Sequence, residues 1–154
     1  MFDHLGLKVA NLDASVRFYT GALAPLGHVL AQRLHDARGL PGQFRTRLET
    51  TLEQAVAFAE EVADNPSKER FTRIAASSLY HITTAIAMAY EGAQIGAHGG
   101  DARRMLMARF VLEHRLSDQR KLSADGGVWE EPAISALLDE TAITVEAASS
   151  MLVA

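Results

Sequence analysis

The stretch FTRIAASSLYHITTAIAMAYEGAQI, residues 71–95, decides the fold of this 154-residue chain. No Asp, Glu, Lys or Arg occurs between Ile74 and Tyr90. Ala, Ser and Thr fill much of the circumference, so other helices can approach on more than one side. The stretch predicts the central helix of a bundle, and its hydroxyl groups make it too polar for a membrane span. Its apolar and small residues recur every three or four positions, as on one helical face: Phe71, Ala75, Leu79, Ile82, Ile86, Ala89 and Ala93.

The low charge of this helix also predicts that the protein is an oligomer. A bundle of this size has too few other residues to cover every apolar side of the helix. Exposed apolar patches on protein surfaces commonly mark interfaces. We therefore expect a homo-oligomer that associates through the helical bundle.

Further helices are predicted on both sides of the central one. Apolar residues at threes and fours between Phe44 and Val62 indicate an amphipathic helix. Asn65 and Pro66 then supply an N-cap and a proline at the first helical position. Glycines at 96, 99 and 100 end the central helix, and Asp101 caps the next one. Two short helices are predicted after it, at about 130–138 and 144–153.

The first residues of the chain have a different pattern. Residues 2–9, FDHLGLKV, alternate in the manner of a short β-strand. A helix is expected to follow, capped by Asn11 or Asp13 and ended by Pro25 and Gly27. Residues 28–34 fit either a second strand or the start of another helix.

These patterns together predict a mainly α protein with a composite organisation. A short βα or βαβ element occupies residues 1–34, and a Gly- and Pro-containing linker occupies 35–42. Residues 43–154 form a bundle of about four to five helices. Trp129, the only tryptophan, is expected to anchor the last helices to this bundle.

Composition and charge exclude several classes of function. The chain has no cysteine, which excludes disulfides and thiolate zinc sites. Its net charge is −4, and the acidity comes from residues 117–154, so no broad basic surface is available for nucleic acid. Arg103, Arg104 and Arg109 have acidic neighbours and fit a solvated helix face. Residues 1–9 lack the basic start and long apolar core of a secretory signal, so we expect a cytoplasmic protein.

The opening residues, FDHLGLKVANLDASVRFYTGALAPLGHVL, resemble the first βαβ unit of the vicinal-oxygen-chelate superfamily, which includes glyoxalases and extradiol dioxygenases. The resemblance covers about residues 1–34. In that superfamily a histidine on the first strand is commonly a metal ligand, and His4 matches its position. The resemblance therefore implies a divalent metal at His4.

A second resemblance covers about residues 43–154. The pieces LYHITTAIAMAYEGAQIG, GDARRMLMARFVLEHRL and ALLDE are similar to the C-terminal helical domain of flavin-dependent acyl-CoA dehydrogenases. In that family the domain packs against the flavin and builds the core of the tetramer. Tyr90-Glu91-Gly92 matches the triplet in which many members carry the catalytic base, so the resemblance implies that role for Glu91. A base there removes the α-proton of a thioester while the flavin accepts hydride.

Two classes of function follow from these resemblances. The first is an oligomerisation or partner-binding module of the acyl-CoA dehydrogenase type. The family domains that hold most of the flavin and acyl-CoA have no counterpart in this sequence. We therefore expect no cofactor in the isolated chain, and FAD only if a flavoprotein partner completes the site. The alternative is a metal-dependent vicinal-oxygen-chelate enzyme, or a fusion remnant without activity of its own.

Overall fold

The computed structural model describes residues 12–117 and 127–153, without the side chains of 12–20 and 22–24. These residues form helices and connecting turns and contain no β-strand. A 3₁₀ helix, Pro66–Phe71, joins the second and third α-helices, and a π-helical turn, Leu112–Leu116, extends the fourth. The α-helices are α1 (Leu12–Asp36), α2 (Gly42–Asp64), α3 (Thr72–Ala97), α4 (Arg103–Val111), α5 (Glu130–Leu138) and α6 (Val145–Val153).

The predicted central helix is confirmed as α3, which packs against α1, α2, α4 and α6. Its side chains at Ile82, Ile86 and Ala89 are fully buried. The predicted N-cap is also confirmed, because the Asn65 side chain accepts a hydrogen bond from the Ser67 amide at 3.1 Å. That cap begins the 3₁₀ helix, which then leads into α3. No helix among the described residues is both long enough and apolar enough to cross a membrane.

The helix that the sequence predicts after the first strand is present as α1, but its predicted end is wrong. Pro25 and Gly27 do not end α1, which continues to Asp36, so residues 28–34 are helical and no second strand exists there. Proline removes one backbone donor from a helix and disturbs the turn before it. Here burial of Leu30 (2% exposed) and Leu34 (0%) against the other helices compensates for that loss. The predicted strand at 2–9 lies outside the described residues.

The segment predicted to be a linker contains a short turn whose apolar side chains belong to the same core as the adjoining helices. Residues 37–41 connect α1 to α2, and Gly39 adopts a φ of 87°, which favours glycine. Ala37 and Leu40 within this turn are buried. They belong to the same hydrophobic cluster as Leu34 and Phe44. The end of α1 and the bundle therefore share their packing.

Gly92 sets how closely α3 and α4 approach. A Cβ atom at this position would lie 2.6 Å from the Met105 backbone nitrogen and 3.1 Å from the Arg104 carbonyl carbon. Backbone atoms at those distances move only if the helix moves. The α3–α4 pair therefore depends on the absence of a side chain at residue 92.

Asp101 and Arg103 fasten the C-terminal helices to the start of α4. The Asp101 carboxylate accepts hydrogen bonds from the backbone amides of Arg103 (2.9 Å) and Ile143 (3.2 Å), and it pairs with the Arg103 side chain. The guanidinium of Arg103 also donates to the carbonyls of Leu137, Asp139 and Thr141, around the end of α5. Partial burial alone raises the pKa of Asp101, but these donors together hold it below 3.8.

We expect Gly92→Ala to destabilise the protein by about 1–3 kcal/mol, because overpacking against a backbone outweighs the better helix propensity of alanine. The matched control is Gly21→Ala within α1, where a Cβ meets nothing within 4 Å. That change should stabilise by about 0.5–1 kcal/mol. Urea unfolding followed by circular dichroism measures both. A Gly92→Ala protein as stable as the parent would show that α3 and α4 do not approach this closely.

Asp101→Asn should lose stability at pH 7, and the difference from the parent should shrink as the pH falls below 3.8. The folded pKa is depressed, so the stabilisation is present above the unfolded value and is lost as the carboxylate protonates. The fluorescence of Trp129 during unfolding reports the transition near α5. Asp139, whose pKa is lowered chiefly by the Thr141 amide, remains in both proteins and cancels in the difference. A difference that does not change with pH would contradict the assignment.

Candidate functional site

The side of α3 that faces away from the core is an uncharged surface between two charged ends. We define the outer face of α3 by six residues that are exposed or half-buried: Arg73, Ser77, Tyr80, Thr84, Ala87 and Glu91. Tyr80 on this face is 66% exposed. Between its charged ends this face presents no Asp, Glu, Lys or Arg.

Two hydroxyl groups of α3, one of them on this face, bond within their own helix. The Thr84 hydroxyl donates to the Tyr80 carbonyl at 2.8 Å, and the Ser78 hydroxyl donates to the Ile74 carbonyl at 3.0 Å. Because its donor is used, Thr84 turns mainly its methyl group outward. The outer face is therefore less polar at Thr84 than its sequence suggests.

Glu91 lies on the outer face, about two turns before the end of α3. Its side chain is 48% exposed and forms an ion pair with Arg104 of α4. Tyr90 and Gly92 on either side face the bundle: Arg33 lies 5.8 Å from the centre of the Tyr90 ring, and Gly92 meets Met105. The catalytic role of Glu91 stays a prediction, and its surroundings in this chain are those of a surface ion pair.

The described residues provide no metal site of the kind that the resemblance implies for His4. His4, its predicted ligand, lies outside residues 12–117 and 127–153. Within those ranges no group of three or more His, Cys, Asp and Glu side chains is arranged to hold a metal ion. Metal binding through His4 therefore stays a prediction.

A depression of about 510 Å³ opens to solvent between the ends of α1 and α3. It is bordered by His35, Asp36, Arg38, Gln94 and His98. His98 Nδ1 lies 2.7 Å from the Gln94 carbonyl oxygen. Because a carbonyl oxygen only accepts hydrogen bonds, Nδ1 is the donor. In the neutral ring Nε2 then keeps its lone pair. Two helix C-termini meet here, and their dipoles favour a cation. The two histidines and the carboxylate at this depression are not arranged to hold a metal ion together.

A cluster built on Arg109 joins α4 to the C-terminal helices. Arg109 is only 5% exposed, lies 4.1 Å from the centre of the Trp129 ring and donates to the Met151 carbonyl. Glu113 lies 3.8 Å from Arg109 and 2.8 Å from Arg47. Burial lowers the pKa of Arg109 from its usual range, and the negative charge of Glu113 partly offsets that effect. The guanidinium stays charged and links three segments, so the cluster is an anchor.

This cluster corrects the prediction that the three arginines form a solvated face. Arg104 is exposed, but Arg109 is buried. The signal was present in the sequence: Arg109 follows Leu106 by three residues and Met105 by four, so it continues their buried face. The predicted anchoring role of Trp129 agrees with its contacts to Arg109 and, at 4.7 Å between ring centres, to Phe110.

No protein-family model, curated protein or solved structure matches this chain. The two family resemblances therefore stay predictions.

Arg109→Ala should destabilise the protein by about 2–4 kcal/mol, because it removes a charged hydrogen bond to a partly buried carbonyl and a desolvated cation–π contact. Trp129 emission should shift to longer wavelength as water reaches the ring. The matched control on the same helix is Arg104→Ala. It breaks only an exposed pair and should cost less than about 1 kcal/mol. Equal effects of the two changes would rule out the anchoring role of Arg109.

Proposed function

We propose that this chain is an assembly module, a helical bundle that binds other protein chains through the outer face of α3. The observation that carries the proposal is the combination of burial and exposure on one uncharged helix. One side of α3 is fully buried in the core, whereas Tyr80 on the opposite side is 66% exposed. A well-covered central helix has no need for uncharged residues on its solvent side.

The physical argument concerns the composition of this exposed side. A helix face in contact with water alone normally carries charged residues, which add i,i+4 pairs and solubility. Between Arg73 and Glu91 the outer face of α3 carries none, and the Thr84 hydroxyl on it is bonded within the helix. Aromatic residues such as Tyr80 are enriched at the centres of protein interfaces, and charged residues are depleted there. This composition favours contact with protein over contact with water.

The resemblance to the acyl-CoA dehydrogenase C-terminal domain supports the same function, since that domain builds the tetramer core of its family. In this proposal the chain contributes assembly, and a flavin site would form only with a partner chain that supplies the missing parts. Glu91 would act as the catalytic base only if such a partner chain completes the site. The exposed position of its carboxylate makes assembly the better-supported function for this chain.

We expect the purified protein to be an oligomer at micromolar concentration, as measured by size-exclusion chromatography with light scattering. Tyr80→Glu should weaken association at least about tenfold, because it places a charge in the middle of the interface. The fold should survive, since the replaced side chain is 66% exposed. The control, Leu138→Glu, changes a residue on α5 that is 79% exposed and should leave the oligomer intact. A monomeric parent protein would overturn the proposal.

A further inference from the structure

The six residues of the outer face of α3 are regularly spaced along the helix. They follow one another at intervals of four, three, four, three and four positions, from Arg73 to Glu91. This is the heptad spacing by which two helices keep one seam in contact along their length. The seam is uncharged except at its two ends, which carry opposite charges.

We infer that two copies of this chain pair through α3 in antiparallel orientation, with Arg73 of each copy facing Glu91 of the other. The inference rests on the proposed function and names both the partner and the register. Arg73 and Glu91 are equally far along the chain from Ile82. A two-fold axis at the level of Ile82 therefore brings these two residues together twice. The same axis sets Ser77 opposite Ala87, and Tyr80 opposite Thr84, of the second copy.

Charge selects the antiparallel orientation. In a parallel pair in register, Arg73 would face Arg73 and Glu91 would face Glu91, so both ends would repel. In the antiparallel pair both ends attract, and the seam is self-complementary, as a two-fold interface must be. Exposed ion pairs contribute little to affinity, so we assign these two pairs to orientation and register.

The side chains between the charged ends allow close helix packing. Ser77 and Ala87 are small, so at their level the two helices can approach to the roughly 8 Å of tightly packed pairs. Tyr80, the largest side chain on the seam, then covers the facing Thr84, whose hydroxyl already bonds to its own helix. The seam between the ion pairs is about 27 Å long, at about 1.5 Å per residue.

Glu91 is available for this second contact. Its pair with Arg104 leaves the side chain 48% exposed, and a carboxylate accepts hydrogen bonds at both oxygens. Arg73 is exposed at the start of α3. In the dimer each Glu91 therefore lies between Arg104 of its own chain and Arg73 of the second copy.

Orientation can be tested by cross-linking because the chain has no native cysteine. Ser77→Cys protein mixed with Ala87→Cys protein should form a disulfide-linked heterodimer under mild oxidation. Ser77→Cys alone should not, because in the antiparallel pair its two copies lie about 15 Å apart along the helices, beyond disulfide reach. Efficient cross-linking of Ser77→Cys to itself would show a parallel pair and overturn the inference.

Charge reversal tests the register. Arg73→Glu should raise the dimer dissociation constant about tenfold in low salt, measured by analytical ultracentrifugation, because it places like charges at both ends. Arg73→Glu combined with Glu91→Arg should return the constant to within about threefold of the parent. Arg38→Glu and Glu53→Arg make the same changes in net charge at exposed positions on other elements and should have little effect.

The outcomes separate this inference from the proposed function. A dimer that Tyr80→Glu disrupts but charge reversal does not would overturn the register and leave the assembly function standing. A double variant as weak as Arg73→Glu alone would also overturn the register. A parent protein that is monomeric at all concentrations would overturn both.

Discussion

The fold depends on the burial of one side of α3, and Gly92 makes that burial possible. Helices α1, α2, α4 and α6 pack around α3. At Gly92 the Met105 backbone nitrogen occupies the space that a side chain would need. Once α4 is fixed there, Arg103 and Arg109 on α4 reach the segments around α5 and α6. The C-terminal helices are therefore positioned through α4, and α4 through a close backbone contact with α3.

The sequence predicts the helices whose boundaries are local and fails where tertiary packing decides. Both ends of α3 have strong local signals: Asn65 and Pro66 before it, and glycines after it, with Gly99 at a φ of 78°. Pro25 is also a strong local signal, yet α1 passes through it. Leu30 and Leu34 are buried only because the helix continues past Pro25. The stability gained by burying them comes from tertiary packing, which a local proline signal does not reflect.

The candidate site is predictable from the sequence in its location but not in its chemistry. The lack of charge between Ile74 and Tyr90, on which the proposed interface rests, can be read from the sequence alone. The buried side of α3 also follows from the sequence, because most residues of the predicted apolar face, including Ile82, Ile86 and Ala89, are buried. Arg109 is harder to place, since its charge suggests solvent, whereas its spacing from Met105 and Leu106 places it on the buried face. Spacing is the better guide there, since long arginine side chains can bury when their donors are satisfied.

The triplet Tyr90-Glu91-Gly92 shows how a short motif can have an explanation other than catalysis. Tyr90 packs under Arg33, Glu91 pairs with Arg104, and Gly92 admits the α4 backbone. Each of the three residues thus has its own structural role. All three roles lie where α3 contacts neighbouring helices. A general base also needs a substrate held within hydrogen-bond reach and shielded from water. A carboxylate that is 48% exposed and ion-paired gains that shielding only from another chain placed over the outer face of α3. Under the proposed function, assembly is therefore the condition for any chemistry at Glu91.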